Sequence, residues 1–262
     1  MVTQAVACDL DGTLLRSDGT LDRRSRRALA ALPAAEILLV LCTARPARWI
    51  EPLAEAVGGG IAVCANGAVI WDLDAGAALE IDPLAPAIAA EVVARLRAAL
   101  PAAAWAVERA DGFGHEPSYR PHWPVPDDTV IDTVEALVAE PAVKLMLREP
   151  GRSADELLTA ARELIGDLAH CSHSSSADGL LEICAAGVSK ASALARVCER
   201  RGIVADEVVA FGDMPNDLPM LAWAGHSVAV ANAHPDVRAA ADEVTASNDE
   251  SGVALVLERL FS

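Results

Sequence analysis

Short apolar runs alternate with helical patterns in the first and last thirds of the chain. The apolar runs predict strands at 6–10, 36–42, 61–65, 207–211 and 227–230, and a hairpin over 68–81. Helical patterns fill 21–32, 189–201, 215–224, 235–241 and 250–260. Strands that alternate with helices are typical of a parallel sheet covered by helices on both faces. The pattern therefore predicts an α/β fold with a doubly wound, Rossmann-like core domain.

The middle of the chain has a different pattern. It predicts helices at 84–100, 127–139 and 153–164, strands at 142–147 and 180–184, and an irregular stretch rich in glycine, proline and histidine at 110–126. Mixed elements of this kind indicate a separate α+β domain inserted into the sheet domain. The predicted domains are therefore a core made of 1–82 and 187–262, and an inserted α+β domain at 83–186.

The composition narrows the classes of function. The 262 residues are 53% hydrophobic but only 3% aromatic, which predicts an aliphatic core. The formal net charge of −17 argues against nucleic acid as a partner, because nucleic-acid binding needs cationic contacts to phosphates. An acidic chain that acts on an anionic substrate needs a local cation, and a bound metal ion would supply one.

The cysteines and the N-terminal residues indicate the cellular compartment in which we expect the protein. The six cysteines include no C-x-x-C pair, and three of them lie in or beside predicted strands, so we expect reduced thiols in a core. We expect no signal peptide, because MVTQAVACDLDG lacks a basic segment followed by an apolar one. We also expect no membrane span and no membrane partner. The expected location is the cytoplasm.

Polar side chains cluster where the predicted strands of the core end. Open α/β sheets bind ligands at that edge, so residues far apart in the sequence should meet there. A lysine at the start of the helix that follows the insertion joins the set. The residues are Asp9, Asp11, Thr43, Arg45, Asn66, Lys190, Asp213, Asn216 and Asp217.

These residue types favour phosphoryl-transfer chemistry. Several carboxylates at one point repel each other and favour a hard divalent cation such as Mg²⁺. One carboxylate can attack phosphorus, and a second, two residues later, can protonate the leaving oxygen and then deprotonate a water. Thr43 and Lys190 can hold phosphate oxygens, and backbone N–H groups near Asp11 and Gly12 can form an anion nest.

Four ordered motifs carry a family resemblance. They are Asp9-Leu10-Asp11-Gly12-Thr13-Leu14-Leu15, Thr43 in Leu41-Cys42-Thr43-Ala44-Arg45-Pro46, Lys190 in Gly187-Val188-Ser189-Lys190, and Gly212-Asp213-Met214-Pro215-Asn216-Asp217. An Asn66-Gly67-Ala68 turn and a Leu181-Glu182-Ile183 run accompany them. Over its whole length the chain resembles the haloacid dehalogenase superfamily, within it the Cof-like sugar-phosphatase branch.

The resemblance implies a phosphoric monoester hydrolase with an aspartyl-phosphate intermediate. Asp9 would be the nucleophile and Asp11 the acid and base. Mg²⁺ would be bound by Asp9, the Asp11 backbone carbonyl and Asp213, with Asn216, Asp217 and Asn66 in support. Thr43, Lys190 and Gly12 would bind phosphate, and the substrate would be a small phosphate ester, most typically a sugar phosphate.

The resemblance also makes the inserted segment a cap domain that selects the substrate. Its irregular stretch carries His115, Tyr119, Arg120 and His122. Binding residues often lie on loops, so these four are candidate substrate contacts beside Arg45 of the core. The alternative for each is an ordinary surface or ion-pair role.

Two other functions remain open at this point. A phosphotransferase or phosphomutase would use the same intermediate and differ only in what accepts the phosphoryl group. A non-catalytic protein that binds a phosphate ligand would keep the fold, although the intact Asp9, Asp11, Lys190 and Asp213 argue against it.

Overall fold

The computed structural model describes residues 3–174 and 179–261. The chain forms two compact units. The first combines residues up to Glu80 with those from Ser189 onward, and the second is Ile81–Val188. The chain therefore leaves the first unit once and returns to it once.

The N-terminal part of the first unit alternates strands and helices and then forms two further strands. Asp22 caps the first helix by accepting hydrogen bonds from the backbone N–H groups of Arg24 and Ser25. The elements are β1 (Ala5–Cys8), α1 (Arg23–Ala31), β2 (Leu38–Cys42), α2 (Glu51–Val57), β3 (Ile61–Cys64), β4 (Val69–Asp72) and β5 (Ala77–Ile81).

The second unit mixes helices with a separate sheet. Ser153 and Glu156 form a capping box at the start of its second long helix, which explains why that helix begins where it does. The elements are α3 (Pro86–Ala99), β6 (Ala104–Glu108), β7 (Phe113–His115), β8 (Val130–Ile131), α4 (Val134–Leu137), β9 (Lys144–Arg148), α5 (Ala154–Ile165), β10 (Ala169–Ser172) and β11 (Leu180–Ala185).

The C-terminal part of the first unit returns to the alternating pattern. Ser189 caps its first helix through its side chain, so Lys190 is the first helical residue. The elements are α6 (Lys190–Arg200), β12 (Val208–Gly212), α7 (Leu218–Trp223), β13 (His226–Ala229), α8 (Pro235–Ala240), β14 (Glu243–Val244) and α9 (Gly252–Phe261).

Among the described residues, the sheet of the first unit has eight strands in the order β14-β13-β12-β1-β2-β3-β4-β5. The strands from β14 to β3 pair in parallel, and β4 pairs with β3 in antiparallel. Strands β1 and β12 are buried along their whole length, as expected of a sheet covered on both faces. The predicted α/β fold with a doubly wound parallel sheet is confirmed.

The strand order reverses at the centre of this sheet. The connections after β1 run to β2 and β3 on one side, whereas β12, β13 and β14 extend the sheet on the other. Such a switch point opens a crevice at the carboxyl ends of the central strands. Asp9 follows β1 and Asp213 follows β12, so both stand at this crevice.

In the second unit, the described ranges 81–174 and 179–188 form a six-stranded sheet in the order β10-β11-β9-β6-β7-β8. Its central strands pair in antiparallel. One face carries Trp105, Val107 and Leu145 and packs in an apolar cluster with residues of α3 and α5. The unit is the predicted α+β type.

The predicted helix at 127–139 is wrong in extent. Val130 and Ile131 are β-branched residues that pair with β7, and Thr133 caps a short helix that ends at Leu137. The strands β6 and β10 were not predicted, although Trp105 and Val107 alternate with alanine at the period of a strand. The predicted helix at 215–224 is a 3₁₀ turn at Pro215–Asp217 followed by α7.

The six cysteines are free and buried, as predicted. Within the described ranges, no helix is both long and apolar enough to cross a membrane.

Candidate active site

Lys190 lies between two carboxylates at the carboxyl edge of the sheet. Its Nζ donates to Asp9 Oδ1 at 2.6 Å and to Asp217 Oδ1 at 2.6 Å. The lysine and Asp217 side chains are fully buried, and the Asp9 side chain is 7% exposed. The two anions raise the pKa of Lys190 against the opposing effect of burial, so the ammonium stays charged. The structure thus brings together residues from three distant motifs.

Three carboxylates form the acidic cluster, which we define as Asp9, Asp213 and Asp217. One ligand atom of each lies within 4.8 Å of the others. Burial, with Asp217 and Asp11 adding to it, raises the pKa of Asp9 to about 7 although Lys190 opposes the shift. Burial, together with Asp9 and Asp217, raises the pKa of Asp213 to about 9. One lysine therefore does not compensate the cluster, and a further cation is favoured there.

Backbone and hydroxyl donors orient the cluster. Asp217 Oδ2 accepts from the backbone N–H groups of Asp213 and Met214, both at 3.0 Å. Thr13 donates its hydroxyl to Asp213 Oδ1 at 3.1 Å. The carboxylates are thus held in fixed positions before any ligand arrives.

The donor atoms of the cluster fit a hard divalent cation. All three residues offer carboxylate oxygens, and the nearby buried Asn216 has an amide oxygen with no hydrogen-bond partner among the described residues. Gly12 has a φ of +79°, and a Cβ at this position would lie 2.3 Å from Asp213 Oδ2. The backbone of the first motif therefore approaches the cluster as only glycine permits, and the site suits an oxygen-binding ion such as Mg²⁺.

Asp11 points away from the acidic cluster towards Arg45. The Arg45 guanidinium donates to both carboxylate oxygens, at 2.7 and 2.5 Å, in a bidentate pair. The Asp11 side chain is 54% exposed, whereas Asp9 is buried. The two aspartates of the first motif thus have different surroundings, which suits two different roles. Arg45, predicted as a substrate contact, lies at the site in this pair.

The remaining predicted core residues also lie at this edge. Thr43 is buried, and its hydroxyl accepts from the Arg45 backbone N–H at 3.1 Å. Asn66 accepts a hydrogen bond from Asn216 at 3.0 Å. Asn232 was not predicted; its side chain donates to the Gly12 carbonyl at 2.7 Å. Its Ala231-Asn232-Ala233 turn is the signal by which it could have been found.

The predicted contacts of the inserted unit have varied surroundings. Tyr119 is fully buried in an apolar cluster with Phe113 and Met146. His115 is also buried, and its Nδ1 lies 2.7 Å from the Glu116 carbonyl oxygen. Their contact with substrate stays a prediction.

An arginine that the sequence did not single out organises the same region. The guanidinium of Arg148 stacks against the rings of Tyr119 and Trp123 at 5.8 and 5.7 Å, and it lies 3.1 Å from His122 Nδ1. Arg120 is exposed and donates to the Pro117 and Tyr119 carbonyls. Arg148 lies on a strand, so no loop signal marked it.

Comparison with known proteins gives a consistent result. The family model described as haloacid dehalogenase-like hydrolase matches residues 6–257. The chain is 29% identical over 297 residues to the 5-amino-6-(5-phospho-D-ribitylamino)uracil phosphatase YwtE of Bacillus subtilis, covering 99% of this chain and 98% of that protein. It is 30% identical over 271 residues to the pyridoxal phosphate phosphatase YbhA of Escherichia coli, covering 97% of each.

A solved structure has the same fold. SMU.1108c from Streptococcus mutans superposes with a TM-score of 0.86 at 26% identity, covering 98% of each chain. The names of the curated relatives support the predicted enzyme class, a phosphoric monoester hydrolase. Since the family model spans nearly the whole sequence, the chain belongs to the haloacid dehalogenase-like hydrolase family, the superfamily that its four ordered motifs predicted.

Proposed function

We propose that this protein is a Mg²⁺-dependent phosphatase that hydrolyses small phosphate monoesters through an aspartyl-phosphate on Asp9. The observation that carries the proposal is the buried Lys190, bonded to Asp9 and Asp217 beside Asp213 at the switch point of the sheet. A buried carboxylate flanked by a fixed ammonium and further acids is arranged for attack on an anionic phosphoryl group.

In the first step a carboxylate oxygen of Asp9 forms a bond to phosphorus, and the ester P–O bond breaks. The leaving oxygen takes a proton from Asp11. Both Asp11 oxygens accept from Arg45 in this structure, so Asp11 must release one of these bonds in order to hold that proton. Lys190 stays charged beside Asp9 and offsets the negative charge that gathers on the phosphoryl oxygens.

In the second step a water oxygen bonds to phosphorus while Asp11 takes the proton of that water. The bond between phosphorus and Asp9 breaks, which releases inorganic phosphate and regenerates the carboxylate. Between the two steps, when Asp11 has given up its proton, Arg45 stabilises its charged form through the bidentate pair. Asp11 thus acts as acid and base in turn.

The acidic cluster would hold the metal ion through Asp9 and Asp213, with the Asp11 carbonyl, Asn216 and Asp217 in support. Bound Mg²⁺ would supply charge compensation for the phosphoryl group. Thr43 and the backbone near Gly12 complete the proposed phosphate site.

The proposed substrates are small phosphorylated metabolites, with sugar phosphates first. The two curated relatives are named for a phosphoribityl compound and for pyridoxal phosphate, both phosphate esters of small molecules. We assign the choice of substrate to the inserted unit, in which Arg148, Tyr119 and Trp123 form a cationic and aromatic group. The proposed location is the cytoplasm, which the free cysteines support.

Phosphate release from a panel of sugar phosphates, nucleotides and vitamin phosphates tests the proposal. The wild type is compared with Asp9→Asn and with Asp18→Asn, the same change at an exposed aspartate. We expect Mg²⁺-dependent release that Asp9→Asn abolishes and Asp18→Asn leaves intact. Transfer of phosphate to another position or acceptor would favour a mutase or transferase, and no turnover by the folded, Mg²⁺-loaded protein would contradict the proposal.

A further inference from the structure

The turn Ala65–Asn66–Gly67 has an unusual backbone. Its three residues have φ values of 48°, 57° and 107°. Positive φ is uncommon for residues other than glycine and is least costly for asparagine, so Ala65 is strained. Strain of this kind persists only where the surroundings hold it, and it concentrates at functional sites.

The backbone of the turn fixes the loop that carries Thr43 and Arg45. The Ala65 N–H donates to the Arg45 carbonyl at 2.8 Å, and the Asn66 N–H donates to the Thr43 carbonyl at 3.0 Å. The left-handed conformation is what directs successive N–H groups to this loop.

Gly67 brings the same turn against the start of α6. A Cβ at Gly67 would lie 2.2 Å from the Ser189 carbonyl oxygen and 3.2 Å from the backbone nitrogen of Lys190. The backbone of Lys190 therefore packs directly on the turn, and no other residue type would leave room for it.

The side chain of Asn66 reaches the third part of the site. Asn66 Oδ1 accepts from Asn216 Nδ2 at 3.0 Å, and both residues are buried. The other polar atom of each carboxamide, Asn66 Nδ2 and Asn216 Oδ1, has no hydrogen-bond partner in the described part of the chain. Buried amide groups normally use all their hydrogen-bonding atoms. In this pair one hydrogen bond joins the two carboxamides, and one atom of each makes none among the described residues.

We propose that Asn66 is a positioning residue that holds the carboxamide of Asn216 in register with Thr43 and Lys190. The inference deepens the proposed function and rests on it. Asn66 is the one residue of the turn that joins the Thr43 loop by its backbone and the Asn216 loop by its side chain. It acts through Asn216, which supports the proposed metal site beside the phosphate site.

A double-mutant cycle tests this role. Asn66→Gly removes the carboxamide, and glycine adopts the same positive φ at no steric cost. Asn216→Ala and the double variant complete the cycle. Glu36→Gly is the matched control, because Glu36 has a φ of 58° in an exposed turn away from these residues.

Phosphate release is measured as kcat and KM with Mg²⁺, alongside the thermal unfolding midpoint and calorimetric affinity for inorganic phosphate. We expect Asn66→Gly to lower kcat/KM by about 10- to 100-fold, mainly through kcat, as removal of supporting side chains does elsewhere. The double variant should match Asn216→Ala within about twofold, since coupled residues are not additive. Glu36→Gly should match the wild type.

Two results would overturn the inference: an Asn66→Gly variant as active as Glu36→Gly, or losses that multiply in the double variant. If the wild type releases no phosphate from any ester, the proposed function fails, and phosphate affinity then decides the inference. Asn66→Gly must bind inorganic phosphate more weakly than the wild type. A wild type that neither releases nor binds phosphate would refute both.

Discussion

Replacement of Lys190 by methionine would remove the cation that joins Asp9 to Asp217. Methionine has a similar length and no branch, so the packing around the side chain changes little. The carboxylates that lose their partner are buried, so solvent compensates little of the lost charge. The main effect of Lys190→Met is therefore electrostatic.

Removing one partner of a buried ion pair costs about 3–5 kcal/mol, because the remaining charge is left uncompensated. Lys190 pairs with two such carboxylates, so we expect the loss in free energy of unfolding to lie at the upper end of this range. The loss should shrink in acid. The folded-state pKa of Asp9 is already raised to about 7, and removal of Lys190 raises it further, so a proton replaces the missing charge at low pH.

Urea unfolding with a chelator, at about pH 8 and about pH 5.5, measures both effects as the free energy of unfolding. Arg200→Met is the matched control, since Arg200 pairs with Glu80 at the surface with its side chain 53% exposed, and such pairs contribute about 0–1 kcal/mol. A loss for Lys190→Met as small as that of the control at pH 8, or a loss that grows in acid, would refute the reasoning.

Three further predictions concern the cation and the acid. Asp11→Asn should slow phosphate release by about 10²- to 10⁴-fold while calorimetric Mg²⁺ affinity stays near the wild-type value, and equal loss of both would contradict the assignment. Mg²⁺ affinity should rise from about pH 6 to about pH 9, because Asp9 and Asp213 must lose their protons to bind a cation and their pKa values are raised to about 7 and about 9. A Mg²⁺ affinity that does not change with pH would count against the site. Gly12→Ala should lower kcat/KM by about 10²-fold, since the new Cβ would meet Asp213. Gly19→Ala is the control: Gly19 has the same φ of +79° with nothing within 4 Å, so this variant should keep full activity. Equal effects of the two substitutions would show that backbone strain alone is responsible.

Much of the core site follows from the order of the motifs. Parallel strands end at one edge, so the acids after β1 and β12 had to meet there. Lys190 begins a helix, and only its place in the order of the motifs predicts a functional role for it. Its contact with Asp9 follows from the fold. The contact with Asp217 does not, because it depends on the 3₁₀ turn at Pro215–Asp217, which the sequence pattern presents as a plain helix.

Other features depend on packing that no local pattern encodes. The bidentate pair of Asp11 with Arg45 is set by the conformation of two loops. Tyr119 lies in a stretch that reads as an irregular loop, yet it is buried against a sheet face that includes Ala106 of the unpredicted β6. The alternation of alanine with Trp105 and Val107 was the available signal.

The central claim is that the phosphoryl group passes through Asp9. Acid quenching during turnover of a ³²P-labelled substrate, followed by trypsin, isolates the segment that ends at Arg16 and contains Asp9. We predict label on this segment in the wild type, and on Asp9 when the peptide is fragmented, with none in Asp9→Asn. Steady phosphate release with no labelled peptide, or label on a different segment, would contradict the account.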